Sequence, residues 1–364
     1  MITVIRREKF VQHVKTAAVE AGFDLSGVAS LQTEEFAELD VLSEWIEAGY
    51  AGEMKYMERR TESGALQRSS AKTAAPWARS IIVCAINYNT DEPYSVELDD
   101  PERGWISRYA WGECDYHNAL MPRLRRVEQA LKDFAEQEQI PIQTRAYVDT
   151  GPVVERVYAR HAGIGWIGKN TCIINQKLGS WLFLGVVLTS LELTPDIPAA
   201  DRCGSCTRCI DACPTDALIA PGKLDARSCI AYLTIEKRGA IDTEFRPSMG
   251  QHVFGCDICQ DVCPWNNKDG NAPGTSAREF QPRERLFHPE LKWLAEMNEE
   301  EYRNAFRGSP IRRAKYSGLK RNVAIAMANS GNKQFIPQLE KMAAEADLIV
   351  AEHAQWALEK LRSS

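Results

Sequence analysis

No stretch of the 364 residues stays apolar for long enough to span a bilayer, so the chain is not expected to cross or sit in a membrane. The pair that could open an export signal, Arg6-Arg7, is followed by Val11-Gln12-His13-Val14-Lys15 and no apolar core. Export is therefore not expected, and a cytoplasmic setting is. Basic residues do not outnumber acidic ones, 44 against 50. A formal net charge of -6 argues against nonspecific coating of nucleic acid or anionic lipid and leaves any polyanionic partner to one basic face. Gly163-Ile164-Gly165-Trp166-Ile167-Gly168 has the spacing of a dinucleotide fingerprint but precedes an expected strand, so no nicotinamide site is assigned.

What is abundant is cysteine, eleven in all, and in a reducing compartment metal explains it better than disulfides. Cys203-x2-Cys206-x2-Cys209-x3-Cys213-Pro214 is the bacterial ferredoxin run, three thiolates around one cubane and a fourth directed to another. Cys256-x2-Cys259-x3-Cys263-Pro264 supplies the second half but is one cysteine short. Counting ligands assigns Cys203, Cys206, Cys209 and Cys263 to one [4Fe-4S] cluster, and Cys213, Cys256, Cys259 and Cys229 to the other, because Cys229 is the cysteine left over in this region. Zinc suits closed four-ligand sites of paired short loops and fits this interleaved run poorly. Purely structural clusters are the other alternative, although two adjacent cubanes make a path for single electrons. Cys84 and Cys172 lie in apolar runs as small hydrophobes, and Cys114 is isolated.

The chain is expected to be a multidomain α/β and α+β protein. Residues 1–193 alternate helix and strand, with a strand at Ile81–Tyr88, a helix carrying Leu120, Leu124, Val127, Leu131 and Phe134 on one face, and a strand at Thr144–Asp149. A helix near Pro152 and apolar runs at Thr171–Asn175 and Trp181–Thr189 follow. Residues 194–270 form a small ferredoxin-like metal domain held by its clusters. Asn267–Ser276 reads as a loop, and residues 271–364 as a HEAT-like helical tail.

Tyr109-Ala110-Trp111-Gly112 with Asp115-Tyr116-His117, Val148-Asp149-Thr150-Gly151, and His161 through Asn170, followed by the ferredoxin run, resemble the epoxyqueuosine reductases over nearly the whole chain. The resemblance implies a nitroreductase-like domain that binds cobalamin, as in reductive dehalogenases, and electrons supplied through two [4Fe-4S] clusters by a donor the sequence does not name. It also implies a tRNA substrate, whose epoxyqueuosine at the wobble position is reduced to queuosine by two electrons with release of water. Arg68, Ser107, Ile173, Leu184, Cys256, Asp257 and Asp149 are the positions that the likeness places around cobalamin, mostly through backbone. The histidine-ligand fingerprint Asp-x-His-x-x-Gly is met only in its first half by Asp115-Tyr116-His117, with Leu120 where glycine belongs. The cobalt is therefore expected to have no protein histidine ligand, His117 being a helix cap or structural residue. Glu113-Cys114 also lengthens the family's join between Trp-Gly and Asp-Tyr-His, which alters the local pocket.

Opening an epoxide creates an alkoxide, which needs a proton before it can leave. Asp149 is the candidate general acid. It ends an apolar strand at a sheet edge where ligands bind in α/β folds, and partial burial is expected to raise its pKa. The alternative is a helix cap ahead of Pro152. Arg303, Arg307, Arg312, Arg313, Lys315, Lys320 and Arg321 form a basic cluster, either a tRNA phosphate contact or a solvated face. Trp111 or Tyr232 could stack a splayed base. The protein is expected to act as a monomer. A reductive dehalogenase and a non-enzymatic electron carrier remain the competing readings.

Overall fold

The computed structural model describes residues 4–32, 36–266 and 272–363. The chain folds into two compact units, and each is assembled from three separated stretches.

The first unit comprises Met1–Asn89, Tyr116–Cys206 and Pro264–Gly274. Its centre is a four-stranded antiparallel sheet in the order Leu25–Ser30, Ser80–Asn87, Leu182–Thr189, Thr144–Tyr147. The Ser80–Asn87 strand is buried at every position because it is paired on both edges and covered on both faces. Its alternate residues serve opposite layers. Ile81, Val83 and Ala85 join Val157, Tyr158 and Ala159 of the Glu155–His161 helix in one core. On the opposite face, Gly185, paired with Cys84, lies against Leu124 of the Tyr116–Gln137 helix. Burial pushes the Cys84 thiol up to about 12, as expected for a cysteine acting as a small hydrophobe. The Val4–Glu20 helix packs on Tyr116–Gln137, with the rings of Phe10 and Phe134 4.7 Å apart, edge to face.

Two expectations change here. The strand expected to reach Asp149 stops at Tyr147. The sheet is antiparallel throughout, so the rule that ligands gather at the carboxyl edge of parallel strands gives no reason to place a site at Asp149. The apolar run at Thr171–Asn175 contributes only the two-residue strand Ile173–Ile174, paired with Trp166–Ile167.

The second unit comprises Thr90–Asp115, Thr207–Cys263 and Thr275–Ser364. Its core joins Trp105, Trp111 and Phe254 to apolar residues of five helices, Leu291–Glu296, Glu299–Ala305, Lys315–Asn329, Ile336–Ala343 and Leu348–Ser363. Lys315–Asn329 is the central one, buried without a break from Gly318 to Ala328. Arg321 sits inside it and donates to the carbonyls of Leu233, Lys237 and Gly239. This places a cation at the end of the Ile230–Ile235 helix, where the last carbonyls have no donor within the helix itself. The loop expected at Asn267–Ser276 lies outside the described residues up to Asn271. Beyond it, the carbonyls of Ala272 and Pro273 accept from Asn89 and Asn87 within the first unit. Among the described residues no helix is long and apolar enough to cross a membrane.

Candidate active site and cluster-binding segments

In the first unit the chain leaves the Thr144–Tyr147 strand through buried Val148 and turns sharply at Asp149, whose φ is +56°. Aspartate tolerates this left-handed conformation better than most residues, at a cost of about 1 kcal/mol. Gly151 completes the turn. A Cβ there would fall 2.4 Å from the ring of Tyr147. The Asp149 side chain is 64% exposed, so the partial burial expected of it is not found, because the turn projects it away from the sheet. Nor does it cap a helix. The next helix starts at Glu155, after Val154.

Asp149 is instead held by the first turn of the Tyr116–Gln137 helix. The Tyr116 hydroxyl donates to its Oδ2 at 2.5 Å, and His117 Nε2 lies 3.7 Å from the same oxygen. The Tyr116 ring stacks on Phe183 at 4.7 Å, and Phe183 stacks in turn on Tyr88 at 4.1 Å, so the phenol is fixed by an aromatic column rooted in the sheet. Arg68 Nη1 donates to the Val153 carbonyl at 3.1 Å. Glu155, which sequence reasoning missed, brings a second carboxyl. Its Oε1 is buried without a hydrogen-bond partner. Burial, then the charge of Asp149, pushes Glu155 up to about 7 against the pull of its own backbone N–H, Arg68 and Arg156. The signal was its position, six residues past Asp149 within Val153-Val154-Glu155-Arg156-Val157. Ile173 is buried in the core of this unit, and Leu184 packs against that core from the strand beside Ala85.

Six of the eight assigned cysteines, Cys209, Cys213, Cys229, Cys256, Cys259 and Cys263, belong to the second unit, including all four assigned to one cluster. Cys229 lies at the start of the Ile230–Ile235 helix, where the backbone N–H groups of Ala231 and Tyr232 turn toward its sulfur. Cys256 receives the N–H of Ile258 in the same way. Burial raises both thiols, Cys256 well above its ordinary range, so an unliganded thiolate is disfavoured there and a metal-bound one is met by ready donors. Among the described residues no three His, Cys, Asp or Glu side chains are grouped as they would be around one metal ion, while a cubane takes its thiolates from separate corners. In the first unit, Trp166 Nε1 lies 3.4 Å from Cys203 Sγ, and Lys169 Nζ bridges the carbonyls of Gly204 and Cys206 at 2.7 and 2.9 Å. These contacts tie the Gly165-Trp166-Ile167-Gly168-Lys169 segment to the start of the first cysteine run.

The structure brings Ser107 and Asp257 together. The buried Asp257 carboxylate accepts from Ser107 Oγ, from Trp105 Nε1 at 3.0 Å and from Arg108 N at 2.7 Å, which fixes the backbone next to Cys256. Gly255 precedes them with φ of +71°, and a Cβ there would press 2.4 Å from that of Ser107.

The basic cluster divides. Arg303, Arg307, Arg312 and Lys315 are exposed, and Arg303 pairs with Glu299. Arg313 is half-buried against Asp115 at 3.0 Å. Lys320 and Arg321 are buried, so neither can meet a phosphate: Arg321 holds backbone carbonyls, and Lys320 bonds the Ala295 carbonyl and pairs with Glu345. Trp111 is fully buried, its Nε1 donating to Ile106 at 2.7 Å beneath the Arg108 guanidinium, and Tyr232 is buried too. Both are core residues and offer no face to a base.

Comparison with known proteins adds the context. The family described as 4Fe-4S double cluster binding domain matches residues 202–266, and the family described as Epoxyqueuosine reductase QueG, DUF1730 matches residues 68–150. The epoxyqueuosine reductase of Pseudomonas aeruginosa is 40% identical over 97% of this chain and 94% of its own length. That of Escherichia coli is 36% identical over 96% and 89%. A solved epoxyqueuosine reductase with an epoxyqueuosine-modified tRNA-Tyr stem loop superposes with a TM-score of 0.84 at 31% identity, covering 98% of this chain and 91% of that one. The Bacillus subtilis epoxyqueuosine reductase, solved with its catalytic aspartate loop swung out of the active site, gives 0.82 at 29% identity over 98% and 91%. A mixed helix-and-sheet protein with a double-cluster segment, this chain belongs to the epoxyqueuosine reductase family.

Proposed function

We propose that the protein reduces epoxyqueuosine to queuosine at the wobble position of tRNA in the cytoplasm, acting as a monomer and drawing electrons through its two [4Fe-4S] clusters from an external donor. The observation that carries the reading is the exposed Asp149 carboxyl, locked in a left-handed turn by Tyr116 at the end of an edge strand, in a chain that also carries eight cluster cysteines. A related protein is solved with an epoxyqueuosine-modified stem loop, which supports the substrate, and another is described by a catalytic aspartate loop, which supports Asp149. Along the chain, residues 1–193 serve as a nitroreductase-like catalytic domain, 194–270 as the electron-transfer domain, and 271–364 as a HEAT-like tail with a tRNA-facing surface.

Family resemblance also assigns cobalamin, with Arg68, Ser107, Ile173, Leu184, Cys256 and Asp257 as its contacts. The residues fit such a group: Asp257, fixed by three donors, would hold it through a still backbone, while His117 Nε2 is turned to Asp149. Bound there, the cofactor would supply a strongly reducing centre for the epoxide carbons. The chain's own residues handle the proton. Asp149 donates it to the oxygen released from carbon, so that a hydroxyl rather than an alkoxide departs. Tyr116 orients the carboxyl through its hydroxyl, and the aromatic column keeps that geometry between turnovers.

The test is anaerobic turnover with reduced viologen on tRNA carrying epoxyqueuosine, with a halogenated phenol in parallel. Conversion of the tRNA base alone is the expected result. Dehalogenation with no action on tRNA would overturn the reading.

A further inference from the structure

Converting an epoxide to an alkene breaks both carbon–oxygen bonds, forms one carbon–carbon π bond, and consumes two electrons and two protons as water leaves. The clusters relay the electrons from the viologen or its physiological equivalent. One carboxyl cannot hold both protons, and Asp149 is the acid already placed at the oxygen under the function proposed above. A second carboxyl lies within reach of the Asp149 charge. Glu155 follows Asp149 by six residues, on the first position of its helix, with Oε1 buried and lacking any hydrogen-bond partner. A carboxylate oxygen in that condition is unstable, whereas a carboxylic acid needs no partner for its second oxygen.

We propose that Glu155 and Asp149 work as a carboxyl pair, in which Glu155 stores the second proton of the reduction and delivers it to the substrate oxygen through Asp149. When Asp149 gives its proton to the opening epoxide, its new negative charge tightens the hold of Glu155 on the remaining one, and the pair shares that proton until the departing hydroxyl takes it. Water then leaves, and Asp149 and Glu155, each now a carboxylate, refill from solvent. The charged groups that face it are Asp149 from the turn, Arg68 from the segment before the Ala71–Ala74 helix, and Arg156 on its own helix. The strands beneath, Leu25–Ser30, Ser80–Asn87 and Leu182–Thr189, bring no charged side chain. Tyr116 and His117 both approach Asp149 at Oδ2. Burial and, once Asp149 has given up its proton, the Asp149 charge hold Glu155 near 7, so it is largely protonated below neutrality. Glu155 is thus a positioning residue for a proton, acting through Asp149.

The experiment is the pH profile of single-turnover reduction between pH 6 and 8.5, at saturating modified tRNA and excess reduced viologen, for the wild type, Glu155→Gln and Asp149→Asn. The wild-type rate should fall as pH rises through about 7, the sign expected for a group that must be protonated. Glu155→Gln, which keeps the shape, should be about tenfold slower at pH 6 and lose that descending limb. Infrared difference spectra of the wild type should show a protonated carboxyl at pH 6 that disappears with the same midpoint and is absent from Glu155→Gln. A Glu155→Gln profile that keeps the wild-type limb, or no such band at pH 6, overturns the role of Glu155 while an inactive Asp149→Asn leaves the site reading standing. A fully active Asp149→Asn overturns the site reading itself, and the pair with it.

Discussion

At Asp149 the left-handed backbone and the Tyr116 hydrogen bond limit what a substitution can disturb. Asparagine adopts the same conformation and still accepts from Tyr116, so Asp149→Asn should leave clusters and tRNA affinity unchanged. It cannot donate an acidic proton. Its turnover should drop by about 10²–10⁴-fold and stay low at saturating tRNA, measured in single turnover with iron content checked in the same sample. In the proposed ligand set the second cluster depends on Cys229. Its sulfur already faces the N–H groups of Ala231 and Tyr232, and removing it leaves three cysteines where four are needed. Cys229→Ala should lose one cluster selectively, halving the iron and changing the electron paramagnetic resonance spectrum of the reduced protein. Iron content equal to wild type would show that another residue completes the site.

Among the elements, the tail helices carry two separable kinds of basic residue. Replacing exposed Arg303, Arg307, Arg312 and Lys315 with alanine should weaken tRNA binding and flatten its log–log salt dependence by roughly one unit for each phosphate that is no longer neutralised. Arg321→Ala should instead lower stability, because three carbonyls lose their donor. A salt slope unchanged in the quadruple variant would mean that this face is merely solvated. The final helix, Leu348–Ser363, carries a different liability. His353 is fully buried, its Nε2 accepting from Ile241 N at 3.1 Å and its Nδ1 donating to Ile349 O at 2.7 Å, which requires the neutral ring. Burial, with Arg246 and Arg321 nearby and Glu352 opposing, lowers its pKa to about 4. The unfolded chain therefore binds the proton first. Stability is full above about 6.5 and is lost as pH falls from there toward 4, by on the order of 3 kcal/mol for this group. Thermal melts at pH 7.5 and 5 should show the loss, and His353→Gln should shrink the difference between them.

For the molecule as a whole, the parts legible in sequence are those whose cause is local. The spacing of the cysteine runs announces the double-cluster segment without reference to anything distant, and the apolar run at Ile81–Tyr88 announces a strand. Strand order is not local. Leu25–Ser30 and Leu182–Thr189 flank Ser80–Asn87 from far along the chain, and nothing in their composition says that both run antiparallel to it. Side-chain burial in the tail is hidden for a similar reason: Lys320 and Arg321 read as surface charges until the carbonyls of Ala295, Leu233, Lys237 and Gly239 arrive from other segments to receive them. The same holds for Glu155, whose raised pKa reflects burial and the charges of Asp149 and Arg68, which the local sequence does not display.

That each unit is pieced together from three stretches bears on the order of events at the ribosome. The chain passes from one unit to the other at Asn89, Asp115, Cys206, Cys263 and Gly274. Buried Asn266 exchanges hydrogen bonds with Ser180, its Oδ1 accepting from the backbone N–H at 2.7 Å and its Nδ2 donating to the hydroxyl at 2.8 Å. The early sheet therefore waits for a segment translated some eighty residues later. At about 5–20 residues per second, that is a delay of several seconds during which the nascent sheet lacks one of its buried partners. Synthesis must run past both cysteine runs before the first unit can close, which puts the metal-binding sequence outside the exit tunnel, and open to cluster delivery, ahead of the catalytic fold.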